Sequence, residues 1–532
     1  MNKFSLFVFS GLLAIGGLAA AHAEDLVILH TNDTHSLIDP DENGRGGVLQ
    51  RKAIIDSVRR AEKNVILVDA GDAVQGSLYF KFFKGDVEYP LMQKMGYDIR
   101  VLGNHEFDNG VASLAKYYKD LKGKAISANY DFKGTELDGI FSPYIIKKVA
   151  GKKIGFFGLN VDPASLISKE NIEGIKFSNI VETGNRTADY LKNNKKCDLV
   201  VAVTHIGYNT KQEGKETDVD LARKSRNIDI IIGGHSHTLV TPGTGGKYPS
   251  IVENAAGRPV LIAQTGKYGK YLGYIKIDLD SLKNFNGTKA DYELIPVTDR
   301  FSGKDLDQSI VNFLKPYRHV VDSVNNNVIG YAPRLLRSDD TNGEYANWAA
   351  DFALQATREA MDSIAAATGK AMPRVDMGLM NIGGIRMNMP AADVTEGRIL
   401  STFPFANKLV VTRLKGSDLI KAMEAAARRH GEAVSNNVRV VVNPDWTVYN
   451  VVIDGRKVDP DKYYNVGTIN YLAEGNDDLK SLANGDVLWT DSRDVSIPIL
   501  NYVRANTALG LPMADDPDGR FVRKVDVGSQ DK

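Results

Sequence analysis

The sequence predicts an α/β protein with at least two domains, and three observations support this fold class. In the first half, short apolar runs such as 65–68 and 200–203 end in polar or glycine-rich turns. Longer stretches with helical spacing, such as 48–61, lie between several of these runs. Apolar strands that alternate with helices indicate layers whose sheets are buried on both faces. In the second half, Ala-rich helical stretches precede strand-like segments and an Asp454-Gly455 turn, which indicates an α/β domain with an antiparallel component.

We expect a signal peptide at 1–23, a first domain at 24–303, a linker helix at 304–330 and a second domain at 331–532. Apolar residues of the linker recur at three- and four-residue spacing, as on one face of a helix. Pro316 should bend or shorten that helix. The alternative is that this helix belongs wholly to one domain.

The first 23 residues have the features of a secretory signal peptide. A short basic start precedes an apolar run at 4–20, and Ala21-His22-Ala23 has the small-x-small form of a cleavage site. A membrane anchor or a buried helix is the alternative, but the run is short and ends in small residues. After it, no apolar stretch is long enough to span a bilayer. We therefore expect a secreted protein, in the periplasm of a Gram-negative type cell.

Composition and charge exclude several classes of protein. Of 532 residues, 43% are hydrophobic and 25% are charged, as in ordinary soluble globular proteins. The 66 basic and 66 acidic residues balance, so no net charge drives non-specific binding to a nucleic-acid polymer or a membrane surface. Cys197 is the only cysteine, which excludes an intrachain disulfide framework and a zinc site made of several thiolates.

The placement of the histidines is the main indication of function. Five of the nine stand just after an apolar strand-like run, or in the loop that follows it. In open α/β sheets, ligands collect at the carboxyl ends of the strands, where these histidines are expected. They are His35, His105, His205, His235 and His237.

Seven side chains at these strand ends could hold metal ions. They are two Asp, one Asn and four His, a set that suits Mn, Zn, Fe or Co. Seven ligands exceed one tetrahedral site and fit two divalent ions about 3.5–4 Å apart, which can activate water and neutralise a phosphoryl group. One of these short motifs taken alone, such as Asp33-x-His35, is more often a surface pair or a capping pair than a metal site. The seven are Asp33, His35, Asp72, Asn104, His205, His235 and His237.

Residues 33–237 resemble the calcineurin-like metallophosphoesterases. With the second half included, nearly the whole chain after residue 23 is similar to the secreted 5′-nucleotidase family, which includes bacterial periplasmic UDP-sugar hydrolases. The resemblance implies a four-layer α/β/β/α metallophosphoesterase sandwich and a C-terminal α+β domain that binds substrate. It rests on Asp33-x-His35, Gly71-Asp72, Gly103-Asn104-His105-Glu106, His205 and Gly234-His235-Ser236-His237.

The resemblance also implies roles for the side chains of the metal centre. One ion would be held by Asp33, His35 and His237. The other would be held by Asn104, His205 and His235, with Asp72 bridging the two.

His105 follows a metal ligand directly and can therefore face the substrate. The resemblance assigns it to stabilising the transferred phosphoryl group or the leaving oxygen, with Asp108 orienting its imidazole. The alternative is that Asp108 only caps the helix that begins near residue 109.

In the second half, the resemblance implies a nucleotide-binding site. Residues 381–386 are similar to the family's Asn-Gly-Gly-Gly-Ile-Arg segment, and 403–407 to the segment that contains its Pro-Phe-Gly-Asn motif. Two aromatic rings would sandwich a nucleobase, an aspartate would accept hydrogen bonds from ribose, and arginines would bind phosphate oxygens. The alternatives are a core role for the phenylalanine and a surface ion pair for the arginine. The residues are Arg337, Asn381, Arg386, Phe405, Tyr471 and Asp477.

The sequence therefore predicts a secreted two-metal phosphohydrolase that releases phosphate from nucleoside 5′-monophosphates and other nucleotides. Its partner would be a small nucleotide that bridges the two domains. The alternatives are a 2′,3′-cyclic-nucleotide phosphodiesterase/3′-nucleotidase, a UDP-sugar or NAD hydrolase of the same architecture, and a non-catalytic nucleotide-binding protein.

Overall fold

The computed structural model describes residues 25–119, 124–209, 215–338, 341–429, 431–515 and 517–524. The expected signal peptide at 1–23 lies outside these residues. Within them, no helix is both long and apolar enough to cross a membrane.

The first domain alternates strands with helices, as the apolar runs predict. Its described strands are β1 (Asp25–Thr31), β2 (Val65–Asp69), β3 (Ile99–Arg100), β4 (Tyr130–Asp131), β5 (Tyr144–Val149), β6 (Lys152–Asn160), β7 (Lys176–Phe177), β8 (Leu199–His205), β9 (Ile230–Ile232), β10 (Ile251–Glu253), β11 (Pro259–Ala263), β12 (Tyr271–Asp278) and β13 (Asp291–Pro296). Its described α-helices are α1 (Val48–Ala61), α2 (Leu78–Phe83), α3 (Glu88–Met95), α4 (Gly110–Tyr118), α5 (Ile180–Asp189) and α6 (Asp218–Lys224).

Two sheets of this domain pack face to face. Their strand orders are β13-β12-β1-β2-β3 and β10-β11-β9-β8-β6-β5. Alternate residues of a strand face opposite sides of its sheet. Ile28 of β1 accordingly lies in one buried cluster with Phe156 of β6 and Val201 of β8.

Helices cover the outer faces of both sheets. Leu29 of β1 lies in a second buried cluster with Ile54 of α1, and Val200 of β8 lies in a third with Ile180 of α5. The layers therefore follow the order helix, sheet, sheet, helix, and the predicted four-layer sandwich is confirmed.

The central strands of each sheet run parallel. β1 pairs with β2 and β2 with β3 in one sheet, and β6, β8 and β9 pair in the other. Parallel strands end at a common edge, so the loops after β1, β2 and β3 leave the first sheet together. The loops after β8 and β9 do the same in the second sheet.

A long helix follows the last described strand of the first domain and precedes the strand at 328–331. α7 (Gln308–Asn325) begins after Asp307, whose carboxylate accepts backbone N–H groups of the first turn. Pro316 lies inside the helix, which continues beyond it. The expectation that Pro316 shortens this helix is therefore wrong. Ile310 on one side of the proline and Val321 on the other are both buried, and this packing outweighs the missing backbone hydrogen bond. Because α7 contacts both α2 and the helix at 396–402, we propose it as the boundary between the domains.

The second domain mixes parallel and antiparallel pairing. The described strands are β14 (Val328–Tyr331), β15 (Met377–Met380), β16 (Asp393–Thr395), β17 (Lys408–Lys415), β18 (Ala433–Val434), β19 (Val438–Val442), β20 (Val448–Ile453), β21 (Arg456–Lys457), β22 (Tyr463–Ile469), β23 (Asp486–Asp494) and β24 (Phe521–Arg523). The main sheet has the order β18-β15-β22-β17-β23, and a smaller sheet has the order β21-β20-β19-β24. The described α-helices are α8 (Glu344–Thr368), α9 (Glu396–Thr402), α10 (Gly416–Arg428), α11 (Asn470–Ala473) and α12 (Ser496–Ala508).

Candidate active site

The seven expected ligands meet where five strands of the first domain end. β1 leads to Asp33 and His35, β2 to Asp72, β3 to Asn104, β8 ends at His205, and β9 leads to His235 and His237. The carboxyl ends of the two sheets therefore face a common site, although these residues are up to 204 positions apart in the chain.

Asp33, His35 and His237 form one half of the cluster. Their ligand atoms lie within 4.8 Å of one another. Nε2 of His35 is 2.9 Å from Nε2 of His237, and Oδ1 of Asp33 is 3.5 Å from that same His237 nitrogen. The three side chains therefore aim at one point.

Asp72, Asn104, His205 and His235 form the other half. Nε2 of His205 is 3.1 Å from Oδ2 of Asp72, and Nδ1 of His235 is 3.0 Å from Oδ1 of Asn104. The same Asp72 oxygen is 3.9 Å from Nε2 of His35 in the first half. Asp72 thus lies between the halves, where a shared carboxylate ligand would have to lie.

These residues fit a pair of divalent ions. Two ligands that are each roughly 2.1 Å from one ion lie about 3–3.5 Å apart, as several of these atoms do. Nε2 of His205 is buried, and although it is close to Asp72 it makes no hydrogen bond. Burial lowers the pKa of His235 to about 3 and that of His35 well below its usual value, so both rings are neutral, as metal ligands must be. His205 differs, because despite its burial the carboxylates of Asp72 and Asp33 raise its pKa, and a bound ion would replace its proton. Burial also raises the pKa of Asp33, so a cation beside this carboxylate would favour its ionised form.

The backbone of the cluster is strained. The φ angles of Asp33, His35, Asp72, His235 and His237 lie between 46° and 78°, a left-handed region that is uncommon for residues other than glycine. Strain of this kind persists only where the surrounding structure holds it, and it concentrates at functional sites.

Gly103 is needed for the close approach of the loops after β2 and β3. A Cβ atom at this position would lie 2.1 Å from Oδ1 of Asp72. We therefore expect Gly103→Ala to displace the Asp72 carboxylate and to lower kcat/KM by about 10²-fold, the usual effect of a misplacement near 1 Å. Phosphate release and bound metal per chain are the measurements. The matched control is Gly245→Ala, because nothing lies within 4 Å of its added Cβ. Equal rates in both variants would show that the loop tolerates the methyl group.

Glu106 is a site residue whose role the sequence analysis missed. Its buried carboxylate accepts the backbone N–H groups of Asp72 at 3.0 Å, Ala73 at 2.9 Å and Gly103 at 2.5 Å. It thereby ties the loop that carries Asp72 to the loop that carries Asn104. The motif contains Glu106, but no sequence signal shows which backbone groups it binds.

His105 and Asp108 form the expected pair. Nδ1 of His105 is 3.0 Å from Oδ2 of Asp108, and its backbone N–H donates to Oδ1 of Asp72. Burial disfavours the imidazolium, but the carboxylates of Asp108 and Asp72 raise the pKa of His105 above its usual value. α4 begins at Gly110 and its N-cap residue is Asn109, so Asp108 does not cap this helix. The Asp108 carboxylate contacts the imidazole of His105 instead.

A cavity of about 340 Å³ extends from the metal cluster to the second domain. Phe405 lies where the two domains meet at this cavity. The centroid of its ring is 5.9 Å from the centroid of the His105 ring and 5.9 Å from the guanidinium carbon of Arg386. Tyr471 lines the same cavity. The cavity therefore offers candidate metal ligands, an arginine and two aromatic rings to one molecule.

Asp477 lines this cavity and is held by its neighbours. Its Oδ2 accepts a hydrogen bond from Nδ2 of Asn381 at 2.9 Å, and its Oδ1 accepts one from the Tyr471 hydroxyl at 3.3 Å. Arg337 does not line the cavity. Its side chain is half exposed and its Nε lies 3.7 Å from Oε2 of Glu344.

Comparison with known proteins finds relatives along most of the chain. A model of the calcineurin-like phosphoesterase family matches residues 26–239, and a model of the 5′-nucleotidase C-terminal domain matches residues 328–484. The chain is 29% identical over 538 residues to a 5′-nucleotidase of Homo sapiens, covering 92% of this chain and 90% of the human protein. It is 28% identical over 525 residues to Protein UshA of Yersinia enterocolitica, covering 89% and 92%. A crystal structure of a 5′-nucleotidase precursor from Thermus thermophilus has a TM-score of 0.80 and 27% identity, and covers 94% of this chain and 99% of that one.

Proposed function

We infer that this chain, which belongs to the 5′-nucleotidase family of calcineurin-like metallophosphoesterases, is a metal-dependent hydrolase of nucleotides. One observation carries this inference. A single cavity is lined by four members of the ligand cluster in the first domain and by arginine, aromatic and aspartate side chains of the second: Asp72, Asn104, His235, His237, Arg386, Phe405, Tyr471 and Asp477. A molecule with a phosphoryl group at one end and a flat base at the other matches this lining.

We propose nucleoside 5′-monophosphates as the substrates. Arg386 would bind phosphate oxygens, Phe405 and Tyr471 would stack on the base, and Asp477 would accept hydrogen bonds from the ribose hydroxyls. Arg337 can take part only after a movement of its segment, since its side chain lies outside the cavity. A cyclic nucleotide, a 3′-nucleotide, a UDP-sugar or NAD are the alternative substrates.

The ligand set proposed for the metal ions is Asp33, His35 and His237 for one, and Asn104, His205 and His235 for the other, with Asp72 shared. Mn, Zn, Co or Fe would suit these nitrogen and oxygen donors. When bound, two such ions supply activation of water and neutralisation of phosphoryl charge.

His105 has the geometry of a group that stabilises the departing oxygen. Its Nδ1 lies against the Asp108 carboxylate, which holds the proton on that nitrogen and fixes the ring. Nε2 is then the ring atom that can act on substrate in the cavity. Asp108 acts through His105, as the orienting member of the pair.

Phosphate release by residues 24–532, first treated with a chelator and then reloaded with Mn²⁺, tests the proposed substrate. The panel contains AMP, a 3′-nucleotide, a 2′,3′-cyclic nucleotide, a UDP-sugar and glycerol phosphate, with product analysis for the cyclic nucleotide and the UDP-sugar. We expect metal-dependent turnover of AMP well above that of glycerol phosphate. Preference for a cyclic or 3′ substrate, or no turnover with any metal, would contradict the proposal.

Base stacking predicts a further result. Replacing Phe405 by Leu should raise the KM for AMP by roughly tenfold, because stacking of one base on an aromatic ring contributes about 1–3 kcal/mol. The KM for glycerol phosphate should not change, since that substrate has no base. Tyr463→Leu is the control, because Tyr463 is an exposed aromatic residue of the same domain. A similar rise for both substrates would place Phe405 in the phosphate site rather than against the base.

We also propose that the chain is exported to the periplasm and cleaved after Ala23. Expression of the full chain in a Gram-negative host, followed by mass analysis of the periplasmic fraction, tests this. A mature protein that begins at Glu24 is expected, whereas a full-length chain in the cytoplasm would contradict it.

A further inference from the structure

Arg429 lies against the carboxylate that we propose to bind ribose. Its Nη2 is 3.2 Å from Oδ1 of Asp477, and its Nη1 is 3.9 Å from Oδ2 of Asp478. Arg429 follows the C-terminus of α10 and is partly buried, whereas the preceding Arg428 is exposed. No motif in the sequence distinguishes these two arginines; their environments do.

The segment that Arg429 contacts needs support. Asp477 and Asp478 have φ angles of 56° and 63°, so two successive residues adopt the left-handed conformation. Such a turn costs energy unless neighbouring groups hold it. The hydrogen bonds from Asn381 and Tyr471 hold the Asp477 carboxylate, and the Arg429 ion pair fixes it from a further side.

The charges around Arg429 favour this pairing. Glu432 is nearby and buried, and burial raises its pKa to about 8, so this carboxyl group is mostly neutral near pH 7. It accepts the backbone N–H of Ile382 at 2.8 Å. The guanidinium charge therefore acts on Asp477 and Asp478. Oδ2 of Asp478, which Arg429 approaches, also lies 3.8 Å from Nζ of Lys215 in the first domain.

We propose that Arg429 is a positioning residue for nucleoside recognition. It holds the Asp477 carboxylate in the orientation in which the second lone pair of Oδ2, which Asn381 does not use, can accept a ribose hydroxyl in the cavity. This inference rests on the proposed function, because it takes Asp477 as the ribose acceptor. It predicts that Arg429 affects only substrates that contain a ribose.

Kinetics with a ribose-containing and a ribose-free substrate test the proposal. Arg429→Met should raise the KM for AMP by about tenfold, the usual scale for loosening one charge-assisted contact, and should leave the KM for glycerol phosphate unchanged. Arg429→Lys, which keeps the charge without the planar fork, should recover part of the loss. Arg428→Met is the matched control and should behave as the parent chain. Thermal melting of each variant, and the glycerol phosphate rate itself, report whether the protein is folded.

A double-mutant cycle with Asp477→Asn separates positioning from a general structural role. If Arg429 acts through Asp477, Arg429→Met should have little further effect once Asp477 is replaced. Additive effects, or an equal loss for glycerol phosphate, would overturn the inference. Failure of the parent chain to prefer AMP would instead count against the proposed function, so the two failures are distinguishable.

Discussion

Replacement of Asp72 by Asn should abolish metal binding at the centre of the site and lower kcat/KM by about 10³-fold or more. Asp72 is the carboxylate that lies between the two halves of the cluster, 3.1 Å from Nε2 of His205 and 3.9 Å from Nε2 of His35. Asn keeps the shape of the side chain but has no charge, so its neutral amide oxygen is a much weaker shared ligand for two cations than the carboxylate. Burial disfavours the ionised carboxylate, but His205 and His105 hold the pKa of Asp72 well below its usual value.

Metal content after dialysis and phosphate release from AMP are the two measurements for Asp72→Asn. Asp461→Asn is the matched control, because the Asp461 side chain is 86% exposed in the second domain. A variant that keeps both its full metal content and its rate would show that Asp72 is not a shared ligand.

Replacement of His105 by Gln should lower kcat by about 10²–10⁴-fold and leave metal content unchanged. His105 lines the cavity beside the cluster, and its ring is held by Asp108 at 3.0 Å. The proposed ligands remain in place in this variant, so the loss should fall on kcat and not on metal affinity. Asp108→Asn should cause a smaller loss, because the imidazole remains but its orientation and proton are held less firmly.

The contrast between the Asp72 and His105 variants is informative because His105 also lies within ligand distance of His35 and Asp72. Loss of metal from His105→Gln would identify His105 as a ligand instead of a group that acts on substrate. Unchanged turnover would remove it from the reaction altogether. Measuring the metal content of Asp108→Asn shows whether a change in metal binding arises from a displaced His105 ring.

The fold class and the residues of the ligand cluster could be predicted from the sequence to a large extent. Apolar runs that alternate with stretches of helical spacing predict layers of helices and buried strands in the first domain. The four-layer order was implied by the resemblance to the metallophosphoesterases, and the structure confirms it. Parallel pairing gathers the histidines and carboxylates at one edge within each sheet, and the packing of the two sheets then brings the two groups to one site. The effect of Pro316 was harder to predict, since packing on both sides of it decides whether the helix continues.

The sequence by itself determined which residue types stand at the strand ends and where helices and strands form, because both depend on local order along the chain. Only the tertiary structure decided which groups touch. Glu106 binds backbone groups of another loop, Arg429 lies against a turn 48 positions further on, and Arg337 lies outside the cavity. Such contacts depend on how distant segments pack, and the packing of the whole chain determines the distances and burial that set charge and reactivity.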